Sequence, residues 1–234
     1  MDISPDSIIF WQWGFIKLNA TLIFTWVIMA LLVFISWMVT RKLSVGPTNL
    51  SRWQMFLETF VSYTRDQIQD ITHRDPDDYL SFIGTLFIFI SLSNLFSFVP
   101  KYQPPTGSLS TTSALAICVF FAVPVFGIAK AGFGGYFKHY IKPTVFMLPF
   151  NIIGEFSRTI SLSVRLFGNV MSGTMIVGIL ISLAPLFIPI IVHILELLIG
   201  QIQAYIFAVL ATVYIASASR AHEEKEKEKK NSQT

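Results

Sequence analysis

Five titratable residues fall within the apolar stretches of the C-terminal half of the chain. They are Glu155, Arg158, Arg165, His193 and Glu196. Charged side chains at membrane depth are costly, so they face protein or water and usually mark an ion path. An arginine stays positive at any physiological pH, whereas a desolvated carboxylate can carry protons. This combination indicates movement of an ion across a membrane.

A polar stripe surrounds Arg165 at steps of three and four residues, the spacing of one helix face. Its members are Arg158, Ser161, Arg165, Gly168, Asn169 and Ser172. Small residues let another helix approach closely, and Gly168 and Ser172 flank the arginine. The pattern predicts a surface that meets a partner helix, with Arg165 at its centre. The alternative is an arginine buried in a structural ion pair.

A second stripe follows in the last apolar stretch, with His193, Glu196, Gly200, Gln203 and Phe207. Glu196 is a candidate proton carrier. Gln203 cannot titrate, but it can hydrogen-bond an arginine or hold water, with a core hydrogen bond as the alternative. His193 is a relay, a ligand or a satisfied core residue, and the last interpretation is favoured.

Two further pairs have both a functional and a structural interpretation. Asn94 and Ser97 are three residues apart, so they either line a hydrated path or form helix–helix hydrogen bonds. Glu155 and Arg158 have the same spacing, and they either pair on one helix face or flank a path near the cytoplasmic interface.

The composition indicates a membrane protein, since 53% of residues are hydrophobic and only 13% are charged, against about 25% in soluble domains. A net charge of +3 gives no support for a nucleic-acid partner. The single cysteine, Cys118, cannot form a disulfide or a thiolate metal cluster within the chain, and it is predicted to be a small buried hydrophobe.

The elements that must carry these residues form an all-α membrane protein with about five transmembrane helices. The predicted spans are 18–40, 79–100, 111–130, 144–184 and 190–219. The last two exceed the thickness of a bilayer, so they are predicted to form a long, strongly tilted hairpin.

Three other segments complete the single transmembrane domain. Residues 51–75 predict an amphipathic surface helix, with a solvent-facing connector helix as the alternative. The distribution of lysine and arginine places the N-terminus, residues 1–17, outside the cell and the C-terminus in the cytoplasm. Residues 220–234 are predicted to be a disordered cytoplasmic tail.

Several motifs resemble subunit a of the F-type ATP synthases over most of the chain. The most specific pair is RLFGN (165–169) followed by QAYIFAVLATVY (203–214). NLFSFVP (94–100), PTGSLSTTSALA (105–116) and PFNIIGEFSR (149–158) are also similar to family segments. The run RLFGNVMSGTMI resembles a bacterial branch, the N-type ATPases, which is linked to sodium, so the coupling ion is left as proton or sodium.

The resemblance implies a role for individual residues. Arg165 matches the essential stator arginine, and Gln203 matches the glutamine that faces it. Asn94 and Asn169 match polar positions along the half-channels, and Glu196 matches a channel position that is histidine or glutamate. Thr174 stands where several members have an acid or histidine, and Ser97 replaces an acid found in some relatives, so Glu196 is expected to carry more of the ion transfer.

The implied function is an ion-translocating stator subunit with two half-channels in a bacterial inner membrane. The outer half-channel is assigned to Asn94, Ser97, Asn169, Thr174, Glu196 and Gln203, and the inner one to Glu155 and Arg158. The subunit would be non-catalytic and need no cofactor. Its implied partners are a rotor ring of c subunits, peripheral-stalk b subunits, the rest of the synthase and membrane lipid.

Two rival functions come from other classes of membrane protein. A stand-alone ion channel or secondary transporter shares the buried charges but leaves the Arg165 stripe without a partner. A membrane oxidoreductase with haem between helices would need paired intramembrane histidines, and only His193 qualifies.

Overall fold

A computed structural model describes residues 9–13, 16–41, 52–72, 77–99, 102–141, 147–183 and 188–220. Within these ranges the chain forms a short β-hairpin followed by six α-helices. The strands are β1 (Ile9–Trp13) and β2 (Ile16–Asn19). The helices are α1 (Ala20–Thr40), α2 (Arg52–Thr72), α3 (Asp77–Leu95), α4 (Leu109–Ile141), α5 (Met147–Leu183) and α6 (Ile188–Arg220).

Five of these helices are long and apolar enough to cross a membrane, namely α1, α3, α4, α5 and α6. Together with α2 they confirm the expected fold class of five candidate spans and one further helix. The antiparallel hairpin, in which Trp13 lies opposite Ile16, was not predicted. The C-terminal tail, residues 221–234, lies outside the described residues.

The later helices are longer than a span requires. α4 continues past residue 130 to Ile141 and carries Pro124 inside it. α5 has 37 residues and α6 has 33, which corresponds to ~55 Å and ~50 Å at a rise of 1.5 Å per residue. A hydrocarbon core is only ~30 Å thick, so both helices must tilt, bend or protrude.

The apolar side of α2 packs against α3 and α6. Ile68 is 2% exposed and belongs to a cluster with Tyr79 and Ile83. Two turns before Ile68, the Phe60 ring stacks on Phe87 at 6.0 Å between centroids. In its described part, the apolar side of α2 therefore contacts other helices of this chain at Phe60 and Ile68, whereas Val61 is exposed.

Small residues let α6 occupy the centre of the helix bundle, where it contacts α2, α3, α4 and α5. Ala204, Phe207 and Ala211 are fully buried in a core shared with α1, α3, α4 and α5. Alanines allow close helix approach, and Phe207 fills the remaining space.

The prediction that Cys118 is buried is wrong, because its side chain lies on the exposed side of α4. Its neighbours Ile117 and Phe121 are exposed as well. A side chain in an apolar run can face lipid as favourably as it can face the core, so apolar character does not predict burial in a spanning helix.

Candidate functional site

Arg165 projects from the outward side of α5. Leu162 and Leu166, on the other side of the helix, are 2% and 0% exposed and hold α5 against the core, whereas Arg165 is exposed. Among the described residues, no carboxylate lies within ion-pair distance of its guanidinium. The surface beside it is open, since a Cβ on Gly168 would meet no atom within 4 Å. The structural ion pair that was the alternative for Arg165 is therefore not formed within the described chain.

A cavity of about 120 Å³, which we call the small cavity, begins one helical turn from Arg165. Asn169 and Ser172 line it from α5, and Asn94, Ser97 and Glu196 line it from the other side. Asn169 follows Arg165 by four residues, so it lies next to the arginine on α5. The small cavity brings together four residues that were assigned to one half-channel from sequence: Asn94, Ser97, Asn169 and Glu196.

A second cavity of about 410 Å³, the large cavity, shares three lining residues with the small cavity, one of which is Pro104. Ser97 and Glu196 line both cavities, and Thr174 and His193 line the large one. Glu196 therefore lies at the junction of the two spaces. The two cavities meet at Glu196 and are lined mainly by apolar side chains, with a few polar groups among them; the small cavity reaches Asn169, one helical turn from Arg165.

His193 and Glu196 form a close pair at this junction. Nδ1 of His193 lies 3.2 Å from Oε2 of Glu196, and Nε2 lies 3.1 Å from the backbone oxygen of Ser97. The ring also packs against Phe98 at 6.1 Å between centroids. Both ring nitrogens have partners, as the favoured interpretation of a satisfied core residue expects, but the side chain is 25% exposed and also lines the large cavity.

Gly173 makes room for the Glu196 carboxylate. A Cβ at this position would lie 2.6 Å from Oε1 and 2.8 Å from Cδ of Glu196. Real Cβ atoms do not approach other atoms this closely. Any larger residue at position 173 would displace the Glu196 side chain.

Asn94 forms the helix–helix hydrogen bond that was one of its two interpretations, and it also lines a cavity. Its Nδ2 donates to the Gly200 carbonyl at 2.9 Å, and its Oδ1 accepts from the Thr106 hydroxyl at 2.8 Å. Its side chain is 4% exposed and also lines the small cavity. Asn94 is therefore a helix–helix clasp, and its side chain also borders the small cavity.

Three other predicted residues lie away from both cavities. Gln203 is 5% exposed, and its amide nitrogen has no partner within the described chain. The Arg158 guanidinium lies over the Tyr214 ring at 5.5 Å from the centroid. Glu155 is half-buried one turn earlier on α5. None of the three lines the small or the large cavity.

The sequence did not predict that the segment between α3 and α4 contributes side chains to the large cavity. Tyr102 and Gln103 line the large cavity, and the buried Oε1 of Gln103 has no hydrogen-bond partner among the described residues. The Tyr102 hydroxyl donates to the Ser93 carbonyl at 3.2 Å, and burial raises the pKa of this phenol, so it stays neutral. Polar side chains in a proline-rich loop between two apolar spans were the available signal.

Gln201 was missed as well, although it lies two residues from Gln203. Its amide nitrogen donates to the Ser91 carbonyl at 2.9 Å, and its amide oxygen accepts from the Ser91 hydroxyl. This clasp, together with Asn94, fixes α3 against α6 on the side where the cavities form.

Among the described residues, no group of three or more histidine, cysteine, aspartate or glutamate side chains could hold a metal ion. The polar groups around the cavities are instead amides, hydroxyls and the His193–Glu196 pair. The amides and hydroxyls can bind water, and the His193–Glu196 pair can exchange protons with that water.

The chain is similar to known proteins over nearly its whole length. The family profile described as "ATP synthase A chain" matches residues 22–216. A protein of Acaryochloris marina named "ATP synthase subunit a 2" is 64% identical over 220 residues, which cover 94% of each chain. "ATP synthase subunit a" of Albidiferax ferrireducens is 57% identical over 225 residues, covering 96% of this chain and 97% of its own. "ATP synthase subunit a 1" of Crocosphaera subtropica is 55% identical with the same coverage.

Proposed function

Because this chain belongs to the ATP synthase A chain family, we propose that it is the ion-translocating stator subunit of an F-type ATP synthase. Membership makes it a multi-pass membrane component of a complex with other synthase subunits. The finer proposal is that Arg165 releases the transported ion from a carboxylate on a rotor ring of c subunits. In this role the chain moves ions and drives rotation, while ATP chemistry takes place on other subunits.

The exposed, unpaired Arg165 is the observation that carries this proposal. A permanent charge on the membrane-facing side of a helix is costly unless a partner compensates it, and the described chain supplies no carboxylate. A carboxylate on a passing rotor helix is a partner of the required charge. The open surface at Gly168 leaves room for that helix beside the arginine.

The chemistry follows from the cost of charge in lipid. A rotor carboxylate that faces lipid must be neutral, by protonation or by a bound sodium ion. A guanidinium at ~4 Å and an effective dielectric constant of ~20 offers ~4 kcal/mol of attraction to the bare carboxylate. The ion therefore leaves when the rotor site meets Arg165, and the same positive charge blocks a direct leak of cations.

Two offset half-channels complete the proposal. The small and large cavities form the outer half-channel, with Asn94, Ser97, Asn169, Thr174, His193 and Glu196 along it. Glu155 and Arg158 flank the inner one near the cytoplasmic end of α5, and Gln203 accompanies Arg165 between them. Each charge that crosses 100 mV releases ~2.3 kcal/mol, which becomes torque because the ion must travel round with the ring.

The assembly follows from the same proposal. The rotor ring faces the outward side of α5, and peripheral-stalk b subunits hold the chain against rotation. The excess of lysine and arginine on one side supports an orientation with the N-terminus outside the cell and the C-terminus in the cytoplasm of a bacterium.

Replacement of Arg165 by alanine in the whole synthase tests the function. We expect the complex to assemble, because the side chain makes no ion pair within the described chain, and we expect ion-driven ATP synthesis in vesicles to be lost. Val164→Ala changes an exposed neighbour without removing charge and should retain synthesis. Normal ion-driven synthesis by the Arg165→Ala complex would refute the proposal, and ion flux through the chain without a ring would favour a stand-alone channel.

A further inference from the structure

His193 lies between two oxygen atoms that belong to different elements. Nε2 is 3.1 Å from the backbone oxygen of Ser97, and Nδ1 is 3.2 Å from Oε2 of Glu196. A backbone carbonyl only accepts hydrogen bonds, so Nε2 must carry a proton. The Ser97 carbonyl therefore fixes the tautomer of the neutral ring and leaves Nδ1 as the nitrogen that faces Glu196.

The Nδ1–Oε2 contact needs one further proton. Without it, the lone pair of Nδ1 would face a carboxylate oxygen, and the two would repel each other. With it, the proton lies either on Oε2 or on Nδ1, and both arrangements form a hydrogen bond and have zero net charge. We propose that His193 and Glu196 hold this proton in common and act as a single proton-accepting unit at the junction of the two cavities.

The second carboxyl oxygen is the atom that exchanges protons with water. Oε1 of Glu196 makes no hydrogen bond within the described chain and lies close to Gly173, a residue without a side chain. Because Glu196 lines both cavities, the carboxyl group can be reached from either side. His193 is a positioning residue, since it holds Oε2 and leaves Oε1 for the transfer.

The transfer step balances without any further reactant. With the shared proton on Nδ1, a hydronium ion in the large cavity gives a proton to Oε1 and becomes water, and the pair gains one positive charge. Oε1 then gives this proton to a water molecule in the small cavity, which becomes hydronium. The pair returns to zero net charge, and its shared proton has stayed between Nδ1 and Oε2.

The groups that face the pair do not compete for this proton. From α5 they are Asn169, Ser172, Gly173 and Thr174, and from the end of α3 they are Asn94 and Ser97. From the segment before α4, Tyr102 and Gln103 face the large cavity, and the Tyr102 phenol stays neutral. Apart from that phenol, His193 and Glu196 are the titratable side chains in the described lining of both cavities.

This inference rests on the proposed ion-translocating function, and the test uses the whole synthase in membrane vesicles. ATP-driven proton uptake is measured across pH for the unchanged complex and for His193→Ala, Glu196→Gln and the double variant. We expect His193→Ala to lower uptake about tenfold, the scale of one hydrogen bond to a charged group, and to shift the pH of half-maximal uptake. The double variant should match Glu196→Gln alone, since two members of one unit do not act independently.

Two further variants control this experiment. Ser217→Ala alters the same helix at an exposed hydroxyl that bonds only its own helix, and it should leave the pH profile unchanged. Should His193→Ala fail to assemble, His193→Gln replaces it, because the glutamine amide nitrogen reaches the position of Nε2 and can donate to the Ser97 carbonyl but cannot hold a proton. The same pH shift is expected for that variant.

Two results together would overturn the inference. The first is a pH profile that does not change in the His193 variant. The second is a loss of uptake in the double variant that equals the product of the two single losses. Arg165→Ala is measured in parallel to separate this outcome from failure of the proposed function. If Arg165→Ala abolishes uptake while the His193 and Glu196 effects are independent, only the shared proton is refuted. If Arg165→Ala takes up protons normally, the proposed function itself fails.

Discussion

The two C-terminal helices, α5 and α6, are similar in length and both carry a polar stripe, but the bundle covers them differently. Of the most apolar stretch of α5, 11% is buried, against 33% for α6. Arg165 and Ser161 of the α5 stripe are exposed, while Gly200, Gln203 and Phe207 of the α6 stripe are buried. The two polar stripes therefore have different surroundings: on α6 the stripe joins helices within the chain, and on α5 much of it is exposed.

The largest expected effect tests which of the two helices forms the core. Phe207→Ala on α6 removes a fully buried ring and should lower the free energy of unfolding by about 3–5 kcal/mol. The matched change on α5, Phe156→Ala, removes a ring that is 59% exposed and should alter it by less than about 0.5 kcal/mol. Denaturant titration of the purified chain measures both, and equal losses would contradict the contrast.

The clasp between α3 and α6 should give the next largest effect. Asn94→Leu removes the bonds to the Gly200 carbonyl and the Thr106 hydroxyl and leaves buried polar groups without their partner, which costs about 1–3 kcal/mol. Thr85→Ala on the same helix removes an exposed hydroxyl that bonds only within α3, and it should cost less than about 0.5 kcal/mol. If both variants unfold at the same denaturant concentration, the clasp is not a stabilising contact.

A smaller effect on stability, but a clear effect on transport, is expected where α5 meets α6 at the cavities. Gly173→Ala would force Glu196 from its position, and the displaced side chain should cost about 0.5–1.5 kcal/mol through a strained rotamer. Proton uptake by the complex should fall because Oε1 loses its place between the cavities. Gly154→Ala, on the same helix with no atom near the added methyl group, serves as the control, and an equal loss of uptake there would argue against a role for the Gly173 space.

The smallest effect concerns the place where the α5 stripe does contact α6. Arg158→Gln removes the guanidinium from the Tyr214 ring, an exposed cation–π contact of about 0.5–1 kcal/mol. A double-mutant cycle with Tyr214→Leu isolates this interaction from the packing of the tyrosine. A coupling energy near zero would show that Arg158 is as free of its own chain as Arg165 is.

The sequence predicted the helices of the fold better than their surroundings. Uncharged stretches of span length fix where spanning helices lie, because a membrane admits charged side chains only at a cost. The same argument failed for Cys118, since in lipid an apolar side chain gains nothing by facing inward. The N-terminal hairpin was missed because two short strands that pair with each other leave no signal of span length.

The candidate site shows the same contrast between the position of a residue on its helix, which the sequence predicts, and the surroundings of its side chain, which the sequence does not predict. The spacing of Arg165, Gly168 and Asn169 is enough to place them on one side of α5, because a helix repeats every 3.6 residues. The identity of their neighbours was beyond this reasoning. Asn94 was given two open interpretations: the structure shows its hydrogen bond to another helix and its position beside a cavity, and the hydrated path stays a prediction.

The sequence by itself determined that this chain crosses a membrane and that a permanent positive charge lies on one side of a long helix. Both follow from local properties, namely the apolar length of each stretch and the period of the helix. Only the tertiary structure decided that His193 joins Glu196 to Ser97, a residue 96 positions away along the chain, and that two cavities meet at this pair. Such contacts depend on how helices pack, and packing is set by many side chains at once rather than by any one spacing.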